Sequence, residues 1–138
     1  MFLVDTNVVS ELRKPERAHP GVVAWARAVN SRSLYMSSIT LMELELGVLL
    51  KERKDPAQGI VFREWLEKGL LLNFQGRIIE FGSEEARRAA RLHASGPGPE
   101  RDTMIAATAL THGMTVVTRN IKDFEPHGTL ILNPWADN

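Results

Sequence analysis

The sequence contains no cysteine. That absence excludes disulfides, thiolate zinc sites and a cysteine nucleophile. It also carries no net charge, with 17 Lys+Arg set against 17 Asp+Glu. No whole-molecule basic field therefore draws it to nucleic acid, and any such attraction must be local. No apolar stretch approaches the roughly 20 residues needed to cross a bilayer. The N-terminus lacks the basic, apolar and small-residue order of a signal peptide, and Asp5 would interrupt one at once. The glycine motifs of P-loop and dinucleotide-binding proteins are missing as well. Together these absences predict a cytoplasmic protein with no membrane association.

What is present is ordinary in amount and informative in order. Residues 1–138, with 43% hydrophobic and 25% charged content, suit a single domain able to bury a core. The chain opens on a short apolar run, Phe2–Val4, which reads as a strand ending at Asp5. A helix follows from Thr6 towards Leu12 and stops at Lys14-Pro15. His19-Pro20 begins a second helix, and Leu34–Ser37 reads as a second strand. A long helix is expected over about Leu41–Arg53. Asp55-Pro56 then caps another that carries Ile60, Phe62, Trp65 and Leu66 and ends near Gly69. Arg77–Phe81 is a predicted third strand. Ser83 is expected to cap a helix running to about His93, with Glu84 and Glu85 in its first turn. Gly96-Pro97-Gly98-Pro99 is a loop. Asp102 opens a small-residue helix that Gly113 terminates. Thr115–Thr118 and Leu130–Leu132 complete the strands, with a short turn or helix at Asn120–Phe124 between them. Strands alternating with helices imply a parallel α/β sheet covered on both faces. In such folds, sites form beyond the carboxyl ends of the strands.

Four acids stand at suggestive places. Asp5 follows the first strand. Glu43 sits on the long helix, where a wheel at about 100° per residue puts it with Leu46, Gly47 and Leu50 and puts Glu45 and Glu52 on the solvated side. That reading turns Glu43 inward, and Gly47 one turn later would permit close packing. Asp102 heads the small-residue helix, and Asp123 follows the fourth strand. Each has a plain alternative: a helix N-cap for Asp5 and Asp102, a Thr-x-x-Glu capping box for Thr40 and Glu43, and a solvated loop acid for Asp123. Jointly, a parallel sheet would gather them at one edge. Several carboxylates without cysteine suit a hard, oxygen-seeking ion such as Mg²⁺ or Mn²⁺. The four histidines, His19, His93, His112 and His127, lie in loops or at helix ends, as expected of structural or solvated side chains.

The segments Leu3–Asn7, Ser38–Leu44, Arg101–Ala109 and Val117–Phe124 resemble, in order, the motifs of PIN-domain ribonucleases. The likeness extends to the VapC toxins of bacterial type II toxin–antitoxin pairs, and among them to the FitB-like group. It implies a three-layer α/β/α PIN-like fold with a central parallel sheet of about five strands. It implies a Mg²⁺- or Mn²⁺-dependent endoribonuclease acting on RNA, restrained by a cognate antitoxin protein and assembling as a homodimer. Carried over by position, Asp5, Glu43, Asp102 and Asp123 are the catalytic acids, and Asp5 and Asp102 the metal ligands. Asn7, Thr118 and Asn120 would hold the ligands by hydrogen bonds. Many relatives carry Asp where this chain has Asn120, so the fourth position lies between Asn120 and Asp123, with one metal or two.

Arg13, Lys14, Arg101 and Arg119 are the basic residues near the motifs that could hold RNA; a solvated surface charge is the plain alternative for each. Two rival functions differ in class. A haloacid-dehalogenase-like phosphatase also opens on a strand ending in Asp, but needs a second acid where this chain has Asn7. A non-catalytic PIN module would bind RNA or a partner without cutting, and would leave the inward acids unexplained.

Overall fold

A computed structural model describes residues 1–96 and 98–136. The Pro97 part of the expected glycine–proline loop lies outside the described residues. Five parallel strands form one sheet in the order β3-β2-β1-β4-β5. They are β1 (Phe2–Val4), β2 (Leu34–Ser37), β3 (Ile78–Ile79), β4 (Thr115–Val117) and β5 (Ile131–Leu132). The chain builds outward from β1 through β2 to β3, then returns to the other side of β1 with β4. The crevice between β1 and β4 is therefore the topological switch point, where an open parallel sheet presents its site.

The two-residue side-chain period of a strand sorts the core into two layers. Val4 and Val117 point into one cluster with Val8, Val9, Met36, Leu44 and Val48. Leu3 and Val116 point into the other, with Ile105, Ala106, Ala109 and Phe124. The first layer packs under α1 (Thr6–Leu12), α2 (Pro20–Ala28), α3 (Ser38–Lys54) and α4 (Pro56–Glu64). The second packs under α6 (Ser83–Ser95), α7 (Glu100–His112) and α8 (Ile121–Phe124). A π-helical stretch, Trp65–Leu70, and a last turn, α5 (Leu71–Asn73), carry α4 towards β3. The three-layer architecture expected of the sequence is thus present. Among the described residues, no helix is long and apolar enough to cross a membrane.

Several boundaries differ from the sequence reading. The long helix α3 begins at Ser38, capped by the Ser37 hydroxyl, which accepts from the Ile39 N–H at 3.0 Å. Thr40 is therefore inside the helix and does not form a capping box with Glu43. Helix α7 starts at Glu100, so Asp102 is its third residue, still in the favourable first turn. The cap of α6 is Gly82 rather than Ser83, closed by the Glu85 side chain, which accepts from the Gly82 N–H at 3.1 Å. Strands β3, β4 and β5 are each shorter than expected, because pairing ends where the neighbouring strand turns away.

The face of α3 is also corrected. Thr40, Leu44 and Val48 are the buried side, whereas Leu46, Leu49 and Leu50 are exposed. Leucines on both sides of this helix make its sequence pattern ambiguous, and packing against α1 and β2 selects one face. Nor are Glu45 and Glu52 simply solvated. Both bind the Arg63 guanidinium of α4, at 2.6 and 2.9 Å. That node joins α3 to α4 where Gly59 lets the backbones meet, since a Cβ there would lie 2.6 Å from the Glu52 Cα.

Candidate active site at the carboxyl edge of the sheet

Asp5 stands one residue beyond β1, and its plain reading as a helix N-cap holds. It caps α1, with one oxygen accepting from the Thr6 N–H at 2.8 Å. Its other oxygen accepts from the Thr118 hydroxyl at 2.8 Å and from the Asn7 amide at 3.3 Å. The carboxyl group is nearly sealed from water, with 2% of the residue exposed. Burial raises its pKa; the Thr118 and Thr6 hydrogen bonds oppose that, and the charges of Glu43 and Asp123 add to it.

Thr118, just past β4, is the hinge of this arrangement. Its hydroxyl donates to Asp5 and accepts from the Asn7 amide at 3.3 Å and the Asn120 backbone N–H at 3.0 Å. One donor and two acceptor sites are then all used. The Asn7 oxygen in turn accepts from the Arg119 N–H at 3.3 Å. The residues that follow two adjacent strands are thereby locked together across the switch point. Asn120 joins this network through its backbone.

Glu43 reaches the same place from α3. One of its oxygens accepts from the Thr6 hydroxyl at 2.8 Å, and the other lies 3.7 Å from the Arg101 guanidinium. Glu43 thus meets Thr6, the neighbour of Asp5, from a helix face other than the apolar stripe used to argue its inward turn. Glu43 lies at the border of the buried side. Thr6 is the residue that sequence reasoning missed. From the sequence it has no role beyond a helix start and a place in the Leu3–Asn7 segment, yet its hydroxyl bonds an acid 37 positions away. Its place directly after Asp5 was the available signal.

Asp102 comes from the first turn of α7. Its carboxyl is pushed up to about 7, first by burial, then by the Asp5 charge, a hydrogen bond shared with Asp123, and the charges of Asp123 and Glu43. The charged form of Asp102 is thus disfavoured by its neighbours Asp5, Asp123 and Glu43, an arrangement that a bound cation would relieve. Among the described residues, no three carboxylates meet the spacing of a preformed ion cage. A Mg²⁺ site does not require one, because that ion keeps several waters and is commonly held by one or two carboxylates. The donor set, all hard oxygen and mutually repulsive, fits such an ion.

The basic candidates divide. Arg101 alone meets the acids directly. Arg13 lies over the Phe62 ring at 4.0 Å, and Arg119 over Trp135 at 5.0 Å. Lys14 precedes the short turn Pro15–Arg17. Three of the four histidines make structural contacts, as expected, and the Nε2 of the fourth, His93, is buried with no hydrogen-bond partner among the described residues. The His19 ring caps α2 by accepting from the Gly21 N–H at 3.0 Å, His112 pairs with Glu85 at 2.7 Å, and His127 meets the Thr103 hydroxyl at 3.3 Å.

Comparisons with known proteins agree with this geometry. The family model described as PIN domain matches residues 2–125. The chain is 38% identical to the VapC ribonuclease Y4jK of Sinorhizobium fredii, over 98% of this chain and 98% of that protein. It is 39% identical to the toxin FitB of Neisseria gonorrhoeae, over 99% of this chain and all of that protein. The crystal structure of FitAcB from Neisseria gonorrhoeae superposes with a TM-score of 0.89 at 36% identity, covering 98% of this chain and 99% of that one. With its motifs in order, its switch-point acids and its near-complete match to these relatives, the chain belongs to the PIN domain family.

Proposed function

We propose that residues 1–138 act as one unit, a Mg²⁺- or Mn²⁺-dependent endoribonuclease that serves as the toxin of a toxin–antitoxin pair. The carrying observation is the buried Asp5 carboxyl, held by Thr118 and Asn7 at the β1–β4 switch point, with Glu43 bonded to the adjacent Thr6; the charges of Glu43 and Asp123 on Asp5, and of all three on Asp102, support it. The ribonuclease and toxin named among its relatives support the substrate and the role. Asp5 and Asp102 would hold the ion. When bound, Mg²⁺ or Mn²⁺ supplies Lewis-acid charge for the phosphodiester and activates water.

The chain's own groups perform the remaining work. Thr118 and Asn7 hold the Asp5 carboxylate in one orientation, as outer partners of metal ligands do. Thr6 holds Glu43, leaving it or Asp123 free to accept a proton from the attacking water. Burial and the neighbouring acids push the Asp102 carboxyl up to about 7, so the ionised form, which would hold the cation, is favoured above that pH. Asn120 keeps the Thr118 hydroxyl aimed at Asp5 through its backbone N–H. RNA is held by local cations, with Arg101 beside the acids and Arg13, Lys14 and Arg119 around them. The cognate antitoxin, a homodimeric assembly and a cytoplasmic location complete the proposal.

The test is cleavage of total RNA by the purified protein with Mg²⁺, Mn²⁺ or EDTA, beside Asp5→Asn and Asp102→Asn. Metal-dependent cutting that both variants lose is the expected result. Cutting by Asp5→Asn, or equal cutting in EDTA, would refute the assignment.

A further inference from the structure

The acidic site opens into a cavity of about 320 Å³ between α1 and the α3–α4 hairpin. Thr6 and Glu43 line both. On the cavity side, one helical turn beyond Glu43, stands Gly47. A glycine inside a helix is unfavourable, and close packing against a neighbour is the usual reason to retain one. Among the described residues Gly47 has no such neighbour, since a Cβ built on it meets nothing within 4 Å. The missing side chain leaves an open floor instead. The walls include Phe62, Trp65 and Arg13.

Arg13 lies 4.0 Å from the Phe62 ring centre, and the Lys51 ammonium 5.5 Å from it. Among the described residues neither cation has a carboxylate partner. Two cations that meet an aromatic ring but no carboxylate, next to a row of acids, provide for a ligand with a flat π-face and an anionic backbone. That is the description of a nucleotide. The volume is at the lower end of small-ligand pockets, as a single base requires.

We propose that this cavity is a nucleobase subsite: it takes one unpaired base of the RNA, next to the phosphodiester lying over the acids, with the base resting on Gly47 against Phe62 and the Arg13 guanidinium. The proposal rests on the nuclease reading and adds to it the part of the substrate that is recognised. It restricts cleavage to single-stranded positions, because a paired base cannot leave its stack to enter.

The test uses the full chain in an Asp5→Asn background, so that binding is read without cutting. Gly47→Leu fills the floor, in open space and with a better helix former, so the fold is retained; a thermal melt checks this. Gly47→Leu and Phe62→Leu should each weaken binding of fluorescein-labelled, random-sequence single-stranded RNA by on the order of tenfold, the worth of one stacked base. In amide-shift mapping, AMP, GMP, CMP or UMP should move the Gly47 and Trp65 signals, and ribose 5-phosphate should not. Unchanged RNA affinity in Gly47→Leu would overturn the proposal, as would equal shifts with ribose 5-phosphate. Loss of antitoxin capture by Gly47→Leu with RNA affinity intact would overturn it too, assigning the cavity to a protein segment. Failure of the nuclease reading is registered separately, by wild-type protein that cuts no RNA with Mg²⁺ or Mn²⁺ while these binding measurements stand.

Discussion

Removing one acid should make the metal-free protein more stable. Asp102 is ionised near 3.8 in the unfolded chain but holds its proton to about 7 in the fold. Below pH 3.8 both states are protonated, and the stability this group contributes is fully present. As pH rises through 7 that contribution is lost, because the fold must then carry a charge it disfavours. The gap between the two values corresponds to at most about 4 kcal/mol, at ~1.36 kcal/mol per pH unit. Water reaches part of the carboxyl group and screens it, so about 2 kcal/mol is the working expectation. Asp102→Asn keeps the shape and removes the charge. Urea denaturation in EDTA should therefore show the variant more stable than wild type at pH 8, with the gap closing towards pH 4. The melting temperature should differ by roughly 5–10 °C at pH 8. Mg²⁺ should raise the wild type by mass action and leave the variant nearly unmoved. A variant no more stable than wild type at pH 8, or a gap that does not change with pH, would refute the mutual repulsion of these acids.

Other expectations follow from the same contacts. Thr6→Val removes the hydroxyl that holds Glu43; it should lower kcat for RNA cleavage by about tenfold or more while changing stability by only ~1 kcal/mol, and an unaffected kcat would count against a role for Glu43. Arg63→Leu breaks a guanidinium shared by Glu45, Glu52 and Glu67, so hydrogen exchange should quicken in the α3–α4 hairpin and leave β1 and β4 protected. Gly113 ends α7 with φ at +65°, so Gly113→Ala should destabilise the fold by about 1 kcal/mol in a thermal melt without altering the metal requirement. Burial opposes the Glu85 charge, but hydrogen bonds from backbone N–H groups and His112 outweigh it and hold its pKa below the ordinary 4.5. That contribution is present above pH 4.5 and lost as pH falls through the lowered value, so Glu85→Gln should flatten the acid limb of the stability curve.

Local chemistry alone determined much of this protein. Apolar runs broken by Pro, Gly and Asp set the alternation of strand and helix, and that alternation implies a parallel sheet with sites at its carboxyl edge. Asp5, one residue after such a run, was readable at once, because its position depends on nothing distant. The small side chains of Ile105–Ala109 similarly marked a helix that must be buried. The phase of α3 was not readable. Leucines lie on both of its sides, and only contact with α1 and β2 decides that Leu44 and Val48 go inward while Leu46 and Leu50 stay out. The Thr6–Glu43 hydrogen bond, the three-way use of the Thr118 hydroxyl and the Asp102–Asp123 coupling join residues far apart in the chain. The fate of Gly47 belongs with them, since the same residue could pack against a neighbour or open a cavity. A one-dimensional pattern records which side chains are available; which of them meet is set by the sheet order that places β4 beside β1.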